Sequence, residues 1–112
     1  MNRGFTLIEL LIVIAIIGAL AAVMVPNLLS ARARAYDSQA RACAKAIAQA
    51  QEIYLIDSGS YVVDTASLDA GVLRPCATAN TSVDGSAATA STYSFRVSVR
   101  GRVVTVTQDG LR

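Results

Sequence analysis

The chain has 112 residues, of which 54% are hydrophobic, and a formal net charge of +2. That is room for one small domain beside one membrane helix, with no overall basic signature that would call for nucleic acid. With no histidine and two cysteines, Cys43 and Cys76, neither a zinc site nor a histidine-based catalytic centre is credible.

Met1–Gly4 is a short leader carrying one basic residue, Arg3. From Phe5 to Leu29 the chain is apolar except for Thr6, Glu9 and a few small residues near its end. As a helix this run would be about 37 Å long, enough to span a bilayer with some tilt. Glu9 is the informative exception. A carboxylate in a bilayer costs roughly 2.5–3.5 kcal/mol on insertion scales, and the run holds no cation to offset it. A positive group on another molecule is the natural partner, the bland alternative being a carboxylate that snorkels to the headgroups or takes up a proton. Ala19-Leu20-Ala21 looks like a signal-peptidase site. Against a cleaved signal peptide, Glu9 interrupts the core and the apolar run continues past the supposed cut.

Gly4-Phe5-Thr6-Leu7-Ile8-Glu9-Leu10, followed by an apolar stretch with Pro26 near its end, resembles the N-terminus of type IV pilins. The resemblance covers residues 3–33. It implies cleavage by a prepilin peptidase between Gly4 and Phe5, N-methylation of Phe5, and a Glu9 carboxylate that pairs with the N-terminal ammonium of a neighbouring subunit. Thr6 would hydrogen-bond near that amine, or simply to backbone. Assembly contacts are then expected at Phe5, Thr6, Glu9, Gly18 and Pro26. Small residues such as Ala15, Gly18 and Ala22 would let helices approach closely. The resemblance further implies that the stretch from Gly18 to Pro26 can lose helicity in fibres, the plainer reading being a simple kink at Pro26.

Beyond Pro26 a helix is expected to resume and run to about Ile56. Leu29, Ala33, Tyr36, Ala40, Cys43, Ile47, Ala50 and Tyr54 form an apolar stripe, with Arg34, Ser38, Arg41, Lys45, Gln49 and Glu52 on a polar face. Cys43 lies in the apolar stripe. Two cysteines in an exported chain suggest one disulfide, Cys43–Cys76, for which loop closure gives about 3–4 kcal/mol. Orientation is contested: Arg32, Arg34, Arg41 and Lys45 outnumber Arg3, which by the positive-inside rule points the C-terminal part inward. The cysteine pair and the pilin resemblance point outward, and outward is the reading adopted.

Asp57-Ser58-Gly59-Ser60 should end the helix. Tyr61-Val62-Val63 reads as a short extended piece and Asp64–Val72 as a small helix capped by Asp64 or Thr65. Residues 77–92, rich in Ala, Ser and Thr, read as a surface loop with a turn at Asp84-Gly85. Tyr93, Phe95, Val97 and Val99 alternate with Ser94, Arg96, Ser98 and Arg100, a strand pattern. A tight connection at Arg100-Gly101-Arg102 leads to a second strand over Val103–Thr107, and Asp109-Gly110 offers one more turn. Arg96, Arg100 and Arg102 gather round this hairpin as a candidate contact for DNA phosphates or another anionic surface.

The expected fold is α+β, with a long N-terminal helix packed on a small antiparallel sheet, which is also the pilin pattern. The expected organisation is a leader (1–4), a transmembrane and assembly helix (5–29), an amphipathic helix half (30–57) and a β-rich head (58–112) packed with that half as one domain. The expected function is a structural subunit of a bacterial type IV pilus, held in the inner membrane and then polymerised at the cell surface in support of motility, adhesion or DNA uptake. Implied partners are copies of itself, the prepilin peptidase and the inner-membrane assembly platform. No catalytic constellation, metal or cofactor is expected. The alternatives are a pseudopilin of type II secretion or competence, and a membrane-tethered binding module such as a DNA receptor.

Overall fold

A computed structural model describes residues 4–112; Met1, Asn2 and Arg3, and with them most of the expected leader, lie outside the described residues. The fold is α+β: one long helix, α1 (Leu7–Ser58), and a four-stranded antiparallel sheet. By its contacts the chain divides into Met1–Arg32 and Ala33–Arg112.

In the first unit, α1 is long and apolar enough to cross a membrane. Its large apolar side chains stay open on every side, from 49% exposed at Val13 to 85% at Leu7. The expected break at Pro26 is absent, and α1 runs through it without interruption. Pro26 has no N–H to donate to the Ala22 carbonyl, and elsewhere that would kink a helix. Here Asn27 Nδ2 donates to the Val23 carbonyl at 3.2 Å, placing a side-chain donor beside the gap, the kind of local compensation by which membrane helices tolerate proline.

In the second unit, Ala40, Cys43, Ile47 and Ala50 of α1 are buried, and Arg34, Ser38, Arg41, Lys45, Gln49 and Glu52 are exposed, as the periodicity predicts; Ala44 and Ala46, outside the predicted stripe, are buried as well. The helix ends at Ser58. Gly59, at φ +76°, donates its N–H to the Leu55 carbonyl at 2.8 Å, a left-handed helix end for which glycine is suited.

The sheet has the order β1 (Thr81–Ala88), β2 (Tyr93–Val99), β3 (Arg102–Thr107), β4 (Gly110–Leu111), each strand antiparallel to the next. The predicted hairpin is β2–β3, turning at Arg100 (φ +46°) and Gly101 (φ +82°). Two left-handed residues give the hairpin a twist that matches its strands. Tyr93, Phe95, Val97 and Val99 of β2, with Val104 and Val106 of β3, form the core together with the helix residues. The turn at Asp109-Gly110 leads into β4.

Two expectations are corrected. The segment read as a loop over 77–92 contains β1, and Asp84-Gly85 lies inside the strand. Its Ser, Thr and Ala content hides a half-buried alternation that only pairing with β2 stabilises. Gly85 is demanded by space rather than by a turn. A Cβ there would lie 2.5 Å from the Val63 carbonyl oxygen and 3.0 Å from the Phe95 ring. The chain then bulges at Ser86. Second, Asp64–Val72 is no α-helix; only Thr65–Ser67 makes a 3-10 turn, capped by Asp64 Oδ1, which accepts from Ala66 N at 3.0 Å. Asp69 Oδ1 then captures Gly71 N at 2.7 Å, a side-chain-to-backbone bond that competes with helix continuation. Tyr61-Val62-Val63, read as a short extended piece, lies outside the four strands of the sheet.

What holds that segment is a residue that sequence reasoning passed over. Gln51 is fully buried, accepting from Val62 N at 3.1 Å and donating to the Val62 carbonyl at 2.6 Å. Farther back along the helix, Cys43 is disulfide-bonded to Cys76, as expected, and Gln39 Nε2 donates to the Thr78 hydroxyl. Tyr61 donates its phenol to Glu52 Oε1 at 3.0 Å, and its ring meets Tyr93 edge-on at 4.7 Å.

Two consequences are measurable on the full chain in detergent. Gly85→Ala should destabilise the head by about 1–3 kcal/mol, because the new methyl must displace backbone at Val63; an unchanged denaturation midpoint would contradict that packing. The bond to Glu52, with smaller effects of desolvation and the carboxylate charge, raises the Tyr61 pKa. Burial raises that of Tyr93, aided by Glu52 and Tyr61. Both groups hold their protons more tightly folded than unfolded. Their contribution is therefore complete below an ordinary tyrosine pKa of about 10 and lost as pH climbs through the raised values. Stability measured upward from about pH 10 should fall less steeply in Tyr61→Phe than in the parent chain.

Candidate functional site

The helix begins with a device that the sequence spelled out and the pilin resemblance obscured. Thr6 precedes the first helical residue, Leu7, and Glu9 stands three positions on. Thr6 N donates to Glu9 Oε2 at 2.8 Å, the Thr6 hydroxyl donates to the same oxygen at 3.0 Å, and Glu9 N donates back to Thr6 Oγ1 at 3.3 Å. This is a capping box, which satisfies backbone donors that a helix start otherwise leaves open. The pattern Thr-x-x-Glu before an apolar run is its sequence signature. Within one chain, then, Glu9 already has a structural role, and so does Thr6.

The same geometry leaves Glu9 accessible. With Phe5, Leu10, Ile12 and Val13 it lines an open groove of about 460 Å³. Phe5 is 91% exposed. A carboxylate oriented by a cap and set beside apolar surface suits a cation delivered with an apolar body, and solvent exclusion on assembly would strengthen that pairing.

Gly18 is similarly unexplained by its own chain, because a Cβ built there meets nothing within 4 Å. Pro26 sits within α1 without ending it.

The three hairpin arginines are not one cluster. Arg96 lies on the outer face of the sheet, opposite Asp84 of β1 in register. Arg100 turns back to the helix, its guanidinium 5.7 Å from the centre of the Tyr36 ring, within cation–π range. Arg102 lines a cleft with Arg34 and Ser38 of α1. Arg34 was placed on the polar helix face from sequence, but its meeting with Arg102 depends on the packing of helix against sheet and has no local signal.

Comparison with known proteins agrees with these features. Residues 1–25 match the prokaryotic N-terminal methylation motif. The chain is 56% identical over 66 residues to the type IV wide pilus major component PilA4 of Thermus thermophilus, a match covering 59% of this chain and 50% of that one. It is 48% identical over 60 residues to the type IV major pilin protein PilA of Myxococcus xanthus, covering 54% of this chain and 27% of the relative. It is also 40% identical over 74 residues to the type II secretion system core protein G of Pseudomonas aeruginosa, covering 66% and 52%. The chain thus spans about half the length of these relatives, or less. Its N-terminal segment is thus similar to those of type IV pilins and of a type II secretion core protein.

Proposed function

We propose that this chain is a type IV pilin, a structural subunit of a type IV pilus, anchored in the membrane by α1 and polymerised through that same helix. The observation that carries the reading is Glu9, a lone carboxylate on a helix start whose apolar side chains are otherwise uncovered, within a segment matching the methylation motif. Cleavage after Gly4 by a prepilin peptidase would free the Phe5 amine, and methylation would leave its positive charge intact. In the filament that ammonium pairs with Glu9 of a neighbour. Any other axial register leaves both charges unpaired in an apolar bundle, so the pair selects register. Gly18, which its own chain does not require, fits close approach by a second helix, and Pro26 leaves a weak point where α1 can lengthen under load. The assembly platform of the inner membrane would supply the subunits, and the head would come to lie on the cell surface.

A pseudopilin of type II secretion is the second reading. It is favoured by the core protein G match, which reaches further along the chain than the pilin matches, 66% against 59%. Recovery of the chain in fibres sheared from intact cells supports the pilus, and a processed chain absent from that fraction supports the pseudopilus.

The capping box dictates how the Glu9 idea is tested. Glutamine can still close a capping box, whereas alanine cannot. Glu9→Ala and Glu9→Gln should both be processed, and both should yield filaments at a small fraction of the parent level. Normal filaments from Glu9→Gln would show that Glu9 acts only as a cap and would sink the charge-pairing argument.

A further inference from the structure

Four basic residues follow the apolar run within one helix: Arg32, Arg34, Arg41 and Lys45. They conflict with the positive-inside rule if the disulfide-bonded head lies outside. A cell keeps such charges against that bias more readily if they have work to do where they are.

The structure indicates where that work is done. Arg34 and Ser38, one helical turn apart on α1, and Arg102 at the start of β3 line a cleft of about 440 Å³ together with Ala33 and Asp37. Asp37, the acidic member, is engaged by Arg41 at 2.9 Å, which leaves the cleft's balance positive. Arg100, held over Tyr36, adds a further cation on the same turn of the hairpin. Arg34 and Arg102 are both exposed. Two guanidinium forks and a hydroxyl are the donor set that binds phosphate oxygens.

Position along the chain selects the source of the phosphate. Arg34 follows Leu29, the end of the apolar run, by only five residues of sequence, so the donor set belongs to the stretch of chain that adjoins the segment expected to enter the bilayer. We infer that the cleft formed by Arg34, Ser38 and Arg102 binds the phosphate of an anionic phospholipid, on the face of the membrane occupied by the head. The head is thereby held against the bilayer before the subunit is drawn out of it. This rests on membrane anchoring by α1 and is independent of polymerisation. Each arginine engaged with an anionic surface strengthens association by about fivefold, so removing both weakens it by roughly 25-fold.

The test uses the full chain, one copy per nanodisc, in phosphatidylcholine alone or mixed with phosphatidylglycerol, read by hydrogen–deuterium exchange. Amides of the hairpin turn around Arg100–Arg102 and of the helix turn at 33–38 should be protected by phosphatidylglycerol. That protection should disappear in Arg34→Gln/Arg102→Gln and in salt near about 1 M, where screening is nearly complete. Arg96→Gln, on the other face of the sheet, should retain it. Both altered side chains are exposed, so the variants keep the core intact. Equal protection in the two lipids, or protection that survives the double substitution, overturns the inference. A chain that does not enter the nanodisc overturns the anchor and the lipid site together.

Discussion

Residues 7–29 of α1 carry apolar side chains on every side, and such a surface has only two stable surroundings: hydrocarbon, or other helices like itself. This requirement governs the rest of the molecule. An apolar stripe would have marked a face to be packed against the chain's own domain, but a helix apolar all round has no preferred face and no internal partner. It has to be inserted in a bilayer or bundled with copies, and moving from one state to the other exposes almost no apolar surface on balance. Neither surrounding discriminates strongly by hydrophobicity alone, because lipid tails and leucines are equally apolar. In the proposed filament, register and direction would therefore fall to the few polar or small positions: Glu9, Gly18 and the N-terminal amine.

The proposed double use of Glu9 follows from the same scarcity. A helix whose first turn lies in an apolar setting must satisfy its own open N–H groups, and the capping box with Thr6 does so while presenting a carboxylate in fixed orientation. Preorganisation is useful to pairing, since the side chain loses less freedom when a cation arrives. Cap and ion-pair partner are thus compatible roles. They differ in chemistry, however: the cap needs an acceptor, and the pair needs a charge.

Legibility from sequence followed the strength of local signals. The β2–β3 hairpin could be placed because Tyr93, Phe95, Val97 and Val99 alternate strictly with polar residues. The buried and exposed faces of α1 could be separated because their spacing holds over several turns. Strand β1 was missed because nothing local marks it: Ser, Thr and Ala favour no state, and Asp84-Gly85 is ordinarily a turn. Its glycine answers to Val63 and Phe95, residues 22 and 10 positions away, and contact at that range leaves no trace in a window. The uninterrupted course of α1 through Pro26 was misjudged from a rule derived mainly for helices in water. Thr6 and Glu9 were readable as a capping box, yet attention to intermolecular pairing displaced the simpler local account. The Arg34–Arg102 cleft was beyond reach until the packing of helix on hairpin was known.

The segment between α1 and β1 shows how a head this small manages without more regular structure. Helix positions at four-residue spacing face it in turn: Gln51 binds Val62, Ile47 lines a cavity with Leu68 and Leu73, Cys43 is bonded to Cys76, and Gln39 reaches Thr78. The chain descends the helix in reverse order, so each contact shortens the loop that the next must close, and closure entropy depends on that remaining length. Amide hydrogen bonds at Gln51 and Gln39 flank a disulfide at Cys43, and this mixture of chemistries fixes the alignment. An apolar stripe alone would allow the segment to slide by a turn. A slide of that size would strand the buried Gln51 amide, at the cost of about 1–3 kcal/mol for an unsatisfied polar group, and would carry Cys43 away from its partner. Specific polar and covalent points within an apolar stripe thus determine one arrangement of a segment whose own sequence prefers none.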